Sequence, residues 1–360
     1  MQSELVQRVR LSAARVRPEQ IGAQIELLPP HASSRRYARV PGQGVRPSEV
    51  VMLMPPPGAP ADEGGVLAKP LPVSNDPFVV CQRWLSDLGI RVPGILALDD
   101  EGDCMWLEDC GHEDFDQWLQ RTRTPHVEGY QLPLGVLAQL QTMSQQRPVP
   151  ALVASRVFDR PMLAWELEHY MEWRLQVQLG LSLPEPARQA FAEAFARLVE
   201  DVAAIPLAPM HRDFQSHNLM VSESGEMIVL DFQDAMMGPI VYDAVALLRD
   251  SYVEIAGPDL DVLVRQACAA IAATGAADGA SVERVERWFH LQTLQRKLKD
   301  SGRFVFIDRV KHNPSFLRWI DGSLRYVVDS ARRLPDYADL LDLLCEWDPV
   351  IREAVNAEVA

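Results

Sequence analysis

A chain of 360 residues has length for roughly two domains and ample core, and 48% hydrophobic with 24% charged residues is a globular composition. The net charge of −15 argues against a nucleic-acid groove or an anionic membrane surface, and reads as solubility in preference to a polycationic substrate. The five cysteines are odd in number and lack a CxxC pair, the N-terminus has no apolar signal core, and no apolar run reaches about eighteen residues. The cysteine pattern argues against a disulfide framework and a zinc site, and the expectation is a cytoplasmic protein.

The first hundred residues read as strand-rich. "AQIELL" (23–28), "SSRRYARV" (33–40) and "EVVMLM" (49–54) are candidate strands, and "PPPGAPADEGG" (55–65) can continue neither sheet nor helix. "DPFVVCQRWLSDLG" (76–89) predicts a helix with Asp76 as N-cap, Pro77 at its first position and Gly89 at its end. In "ILALDDEGDCMWLEDC" the DDEGD core predicts a hairpin turn between two apolar strands.

After residue 112 helical spacing takes over, through 131–145, 161–180, 187–204, 240–253, 259–274, 281–299, 314–331 and 336–346. Only "NLMVS" and "MIVLD", joined by "ESG", interrupt it with strand character. The expected architecture is α+β. A small β-rich N-lobe covers 1–108, a connection falls near 107–112, and a large helical C-lobe over 109–360 carries one β-hairpin.

The chemistry concentrates in "HRDFQSHNLMVSESGEMIVLDFQDAMMGP", residues 211–239. A hairpin of this length brings its ends together, so Asp213, Asn218 and Asp231 are expected to converge at one mouth. Two carboxylates and an amide oxygen are hard ligands. They suit Mg²⁺, which takes one or two carboxylates plus substrate phosphates and water, and a remaining carboxylate can accept the proton of an attacking hydroxyl. The competing reading is a polar turn that caps local backbone, but a turn does not explain the second motif.

These motifs resemble the phosphotransferase superfamily with the protein-kinase-like fold, whose catalytic loop reads H-x-D-x-x-x-x-N and whose metal motif begins D-F. The resemblance implies ATP and Mg²⁺ as cofactors. It makes Asp213 the general base or hydroxyl-orienting residue, Asn218 and Asp231 metal ligands, and the backbone of Leu107, Glu108 and Asp109 the hinge that holds adenine. His211 and Asp243 become supports of the catalytic loop. No A-P-E segment follows Asp231, and "GPIVYDAVALLRD" runs straight into a helix, which leaves no room for a long activation loop. The layout therefore looks like the aminoglycoside-phosphotransferase and choline-kinase branch, which acts on small molecules. "ASSRRYARV", "HRDFQSHNLMV", "VLDFQDAMMGPIVYDAVALLRDSY" and "QRKLKDSGRF" resemble, more closely, the bacterial N-acetylmuramate/N-acetylglucosamine anomeric kinases of cell-wall recycling. That likeness implies phosphorylation of a sugar at C1.

Three features depart from the superfamily pattern. Gln233 stands where D-F-G has glycine, and "LLPPHASSRRYARV" has no glycine to cover phosphates, so Ser33 and Ser34 are the candidate donors there. The lysine expected on the third strand is missing; the chain's four lysines are Lys69, Lys297, Lys299 and Lys311. Phosphate charge must then be met by Lys69, by Arg35 or Arg36, or by metal alone, and an arginine is the stronger expectation. For the acceptor, "PMLAWELEHYMEWRL" (161–175) offers Trp165, Glu166 and Trp173 as a stacking and hydroxyl-binding set, against the simpler reading of an amphipathic core helix. Asp250 is a further substrate-orienting candidate, while His112, His217, His290 and His312 are expected at the surface. The alternatives are an aminoglycoside or amino-alcohol kinase and, from another class, a nucleotide-binding pseudokinase or scaffold.

Overall fold

The N-terminal stretch is a helix, α1 (Gln2–Val16), in the computed structural model, which describes residues 2–29, 35–42, 44, 46–55 and 76–357. Sequence periodicity gave no sign of it, because its buried positions are Val9, Ser12 and Ala13, two of them small. Small residues let it lie close on a five-stranded antiparallel sheet of order β1-β2-β3-β5-β4. The strands are β1 (Glu26–Leu27), β2 (Arg36–Val40), β3 (Glu49–Leu53), β4 (Ile95–Asp99) and β5 (Cys104–Glu108).

Strand alternation sorts the side chains between the two faces of this sheet. Ala38, Val40, Val51, Leu53, Cys104 and Trp106 pack with Val9 and Ala13 of α1. The Trp106 indole donates to Ser12 Oγ at 3.0 Å, and Arg15 binds Asp99 through Nε at 2.9 Å and Nη2 at 2.7 Å. Tyr37, paired with Met52, and Arg39, paired with Val50, belong to the opposite face.

Helix α2 (Pro77–Asp87) forms as its ends predict. Asp76 accepts from the Phe78 N–H at 2.9 Å, Pro77 opens the helix, and Gly89 takes φ 77° just beyond it. The chain divides into two units, Met1–Trp118 with Asn218–Ala235, and Leu119–His217 with Met236–Ala360. The hairpin of Leu219–Val221 and Met227–Val229 therefore folds with the sheet. Its Val229 N–H donates to Arg91 O at 2.9 Å, Met220 bridges to Asp114, and Phe232 lies against Phe78 with ring centroids 4.7 Å apart.

The second unit is mainly helical. Its principal helices are Gln131–Gln146, Arg160–His169, Glu185–Ala203, Tyr242–Leu248, Gly257–Ala272, Val282–Lys311, Ile320–Arg332, Ala338–Trp347 and Pro349–Ala357. Three expectations need correction here. A second strand pair, Leu207–Met210 with Met236–Pro239, joins segments too far apart in sequence for periodicity to link. The helix expected to end near 299 continues to Lys311. His290 is buried on that helix, 7% exposed, with Nδ1 3.1 Å from Ser330 Oγ, and burial pushes its pKa down to about 3. Among the described residues no helix is long and apolar enough to cross a membrane.

The segment 161–180 is one helix with a change of winding: α-helical over Arg160–His169, then wide π-type turns over Tyr170–Gln178. Arg174 on the wide turns binds Asp348 bidentately at 2.8 Å, with side chains 4% and 0% exposed. The long helix passes this junction so closely that a Cβ on Gly302 would stand 2.1 Å from His169 O. Gly302→Ala must push two backbones apart, which overpacking data put at about 1–3 kcal/mol. A lowered thermal unfolding midpoint is expected, and a midpoint equal to the parent's would show that the approach is not rigid.

Candidate active site

In the helical unit the segment 211–216 turns on a left-handed residue. Arg212 has φ 82°, a conformation that costs a long side chain on the order of 1–3 kcal/mol. Asp243, at the start of helix Tyr242–Leu248, offsets it by accepting the His211 N–H at 2.6 Å and the Arg212 N–H at 2.9 Å. Burial pushes the Asp243 carboxyl up against these two bonds and the nearby His211. The His211 ring is itself buried, edge-on to Phe214 with centroids 5.6 Å apart.

Asp250 holds the other end of the same loop. It is 2% exposed and accepts from Ser216 N at 2.8 Å, Ser216 Oγ at 2.6 Å and Tyr252 N at 2.9 Å. Between these two anchors the Asp213 side chain is 42% exposed, with the Arg296 guanidinium 3.9 Å from Oδ1. Arg296 comes from the long helix, is 3% exposed, donates to Arg212 O at 3.3 Å and lies over the Tyr242 ring at 4.8 Å. Burial works against its charge, but Tyr242, Asp300, Asp213 and Glu166 outweigh burial and hold its pKa above the ordinary value. Sequence reasoning quoted Arg296 within "QRKLKDSGRF" without giving it a role.

In the sheet unit the hairpin brings Asn218 and Asp231 to its open end. Leu219 pairs with Val229, and the Leu230 N–H donates to Asn218 O at 2.8 Å. Asp231 is exposed and left-handed at φ 59°, a region that aspartate tolerates better than most residues. Gln233, noted in the sequence only as a lost glycine, donates from Nε2 to Asp231 Oδ1 at 2.8 Å and so orients that carboxylate.

The other sequence candidates divide in the same way. Ser33, Ser34 and Lys69 lie outside the described residues. Arg35 is 3.3 Å from Asp76, while Arg36 opens β2 opposite Leu53. Leu107 is buried in β5, and the Glu108 N–H donates to Gly94 O at 2.9 Å. The Glu108 carboxylate binds Arg91. Asp109 accepts from Arg39 at 2.7 and 3.0 Å, from Ser48 Oγ at 2.7 Å and from Gly111 N at 3.0 Å, which fixes the segment after β5. In the helical unit Trp165 is 43% exposed with its ring on His169 at 4.5 Å, and Trp173 meets Phe306 at 5.0 Å. Glu166 is buried, accepting from Gln295 at 2.9 Å with Lys299 Nζ at 3.9 Å.

Asp243→Ala leaves two backbone donors without their acceptor, at a cost of about 1–3 kcal/mol for a buried group. A lower unfolding midpoint and faster amide exchange over 211–216 are expected. Parent-like exchange there would mean that something other than Asp243 holds the left-handed turn.

Comparison with known proteins shows the family. The sequence profile of the phosphotransferase enzyme family matches residues 24–280. A protein of Pseudomonas aeruginosa named N-acetylmuramate/N-acetylglucosamine kinase is 30% identical over 321 residues, 89% of this chain and 88% of its own. A protein of the same name from Neisseria meningitidis serogroup B is 32% identical over 286 residues, 78% of this chain and 81% of its own. The crystal structure of a choline/ethanolamine kinase family protein from Mesorhizobium loti superimposes with a TM-score of 0.57 at 16% identity, covering 96% of this chain and 99% of that one; it shares the protein-kinase-like fold. A braced loop bearing an exposed aspartate, a hairpin ending in asparagine and aspartate, and a family profile over most of the chain lead to one conclusion: the chain belongs to the phosphotransferase enzyme family and transfers phosphate to a hydroxyl acceptor.

Proposed function

We propose that the chain is an ATP- and Mg²⁺-dependent kinase that phosphorylates the anomeric C1 hydroxyl of N-acetylmuramate and N-acetylglucosamine. The observation that carries this reading is the 30% and 32% identity, over 89% and 78% of the chain, to proteins named for those two sugars. In the reaction the sugar oxygen bonds to the γ-phosphorus, the bond from that phosphorus to the ADP oxygen breaks, and the hydroxyl proton passes to Asp213. A half-exposed carboxylate on a loop anchored at both ends suits that task, because a base acts only from a fixed position.

Asn218 and Asp231 fit a divalent cation by their chemistry. Both are oxygen donors, and among the described residues no group of three or more His, Cys, Asp or Glu side chains forms a protein cage. A cation held by these two would complete its shell with phosphate oxygens and water, as Mg²⁺ does, and would supply charge neutralisation on the phosphates. The backbone of Leu107–Asp109 is the adenine-binding candidate, and the exposed face of Trp165 is the sugar-stacking candidate.

A polycationic antibiotic would need several available carboxylates. Of Glu166, Glu168, Glu172 and Asp250, the first and last are buried and committed to protein partners, leaving Glu168 and Glu172 exposed. That favours a neutral or mono-anionic acceptor over the aminoglycoside alternative.

ATP consumption measured against a sugar panel, with the product read by NMR, tests the proposal. The two N-acetyl sugars should give α-1-phosphates, a 1-O-methyl glycoside should be inert, and a 6-deoxy sugar should react. A reactive methyl glycoside with an inert 6-deoxy sugar, or faster turnover of kanamycin-like compounds, would sink the anomeric reading. Asp213→Ala should lower kcat by about 10²–10⁴-fold with little change in ATP affinity; parent-like turnover would remove Asp213 from the chemistry.

A further inference from the structure

We infer that Arg35, held by Asp76, is the cation that binds the nucleotide's β-phosphate and beyond, in place of the strand lysine that this fold commonly uses. The inference rests on the nucleotide-dependent reading above. Protein kinases set a lysine on the third strand and pair it with an acidic residue on the helix that follows. Here β3 is Glu49–Leu53, and its residues on the face opposite α1 are Val50 and Met52, neither of which carries charge.

The neighbouring strand supplies a cation on that face. Side chains two apart share a side of a strand, so Tyr37 and Arg39 form one row that Arg35, the residue just before β2, continues, while Arg36 falls on the side of Ala38 and Val40 that packs against α1. Arg39 is committed to Asp109, Gly111 O and His112 at one end of the row. Arg35 stands at the other end, 14% exposed, with Nη2 3.3 Å from Asp76 Oδ1. That same oxygen accepts the Phe78 N–H and caps α2, so the acidic partner is built into the start of the helix that follows β3.

Tyr37 ties this pair to the candidate metal ligand. Its hydroxyl is hydrogen-bonded to Arg35 and lies in the electrostatic field of Asp231, and burial pushes its pKa up to about 12. Arg35, Asp76 and Tyr37 thus form one cluster within the sheet unit, and Asp231 acts electrostatically on the Tyr37 hydroxyl. The row runs from there to the segment Leu107–Asp109. A guanidinium has five N–H donors in a planar fork, enough to serve Asp76, Tyr37 and a phosphate oxygen together.

Calorimetric titration of ADP and AMP into the full chain, with Mg²⁺ present, tests this. Arg35→Met should weaken ADP about ten- to hundredfold, as expected for one charge-assisted contact, and leave AMP within about twofold. The KM for ATP should rise while the acceptor KM stays put. Arg35→Lys should recover part of the ADP affinity. Asp76→Asn, which keeps the helix cap, should weaken ADP to a smaller extent. If Arg35→Met does not fold, Arg35→Lys decides, since it must weaken ADP and spare AMP. ADP binding unchanged in the Arg35 variants, or lost instead in Arg36→Met or Lys69→Met, would overturn the assignment while leaving the kinase reading intact. A parent protein that binds neither nucleotide would overturn that reading and this inference with it.

Discussion

A left-handed arginine cannot hold its place unaided, and the loop that carries the exposed aspartate is built around one. Arg212 at φ 82° carries a strain of about 1–3 kcal/mol. The bonds that the His211 and Arg212 N–H groups donate to Asp243 offset that strain, while burial of the carboxyl works against them. Asp243 can bond both amides because it begins the helix Tyr242–Leu248, whose backbone is buried throughout. The direction in which Asp213 projects is therefore set by a carboxylate thirty residues further along the chain.

The long helix supplies the charges that the rest of the loop requires. Asp250 is a buried anion, and Lys297 faces it from the long helix, bonding to the neighbouring Ser251 Oγ at 2.6 Å and to Asp300 at 2.8 Å. Burial lowers the Lys297 pKa against the pull of Asp300, while burial of Asp300 is outweighed by Lys297, Lys299 and Arg296, which hold its carboxyl well below the usual range. Two of the chain's four lysines are thus spent inside one acidic unit. Breaking a buried pair of this kind typically costs about 3–5 kcal/mol, because one charge is stranded. The network's value is in fixing position; hydrophobic residues of similar volume can hold a core as firmly.

The sequence showed most clearly what is encoded locally. Asp76, Pro77 and Gly89 mark both ends of α2, and "NLMVSESGEMIVLD" declares its own hairpin, so both were legible. The pairing of Leu207–Met210 with Met236–Pro239 was not, since neither strand alternates and Pro209 argues against one. Gly302 stands mid-helix, where only a residue without Cβ fits beside His169 O, and spacing alone did not carry the helix past 299. Of the site, the two motifs were legible as residue types in order. The tertiary partners were not: Arg296 beside Asp213 and Ser216 on Asp250 depend on which element passes beneath which loop, and the bond of Gln233 to Asp231, though local, depends on the left-handed backbone of Asp231.

The sheet unit is discontinuous in sequence, and this has a consequence for synthesis. Its hairpin provides the Val229 bond to Arg91, the bridge from Met220 to Asp114 and the Phe232 ring against Phe78. When residue 118 has emerged from the ribosome the sheet can pair, yet these positions still lack their covering. They gain it only after a further hundred or so residues have been made. Domains commonly fold as they emerge, N-terminal first; here the first unit to start must wait for residues 218–235, and a nascent chain halted between the two segments would present Phe78 and the unbonded Arg91 carbonyl to whatever chaperone meets it.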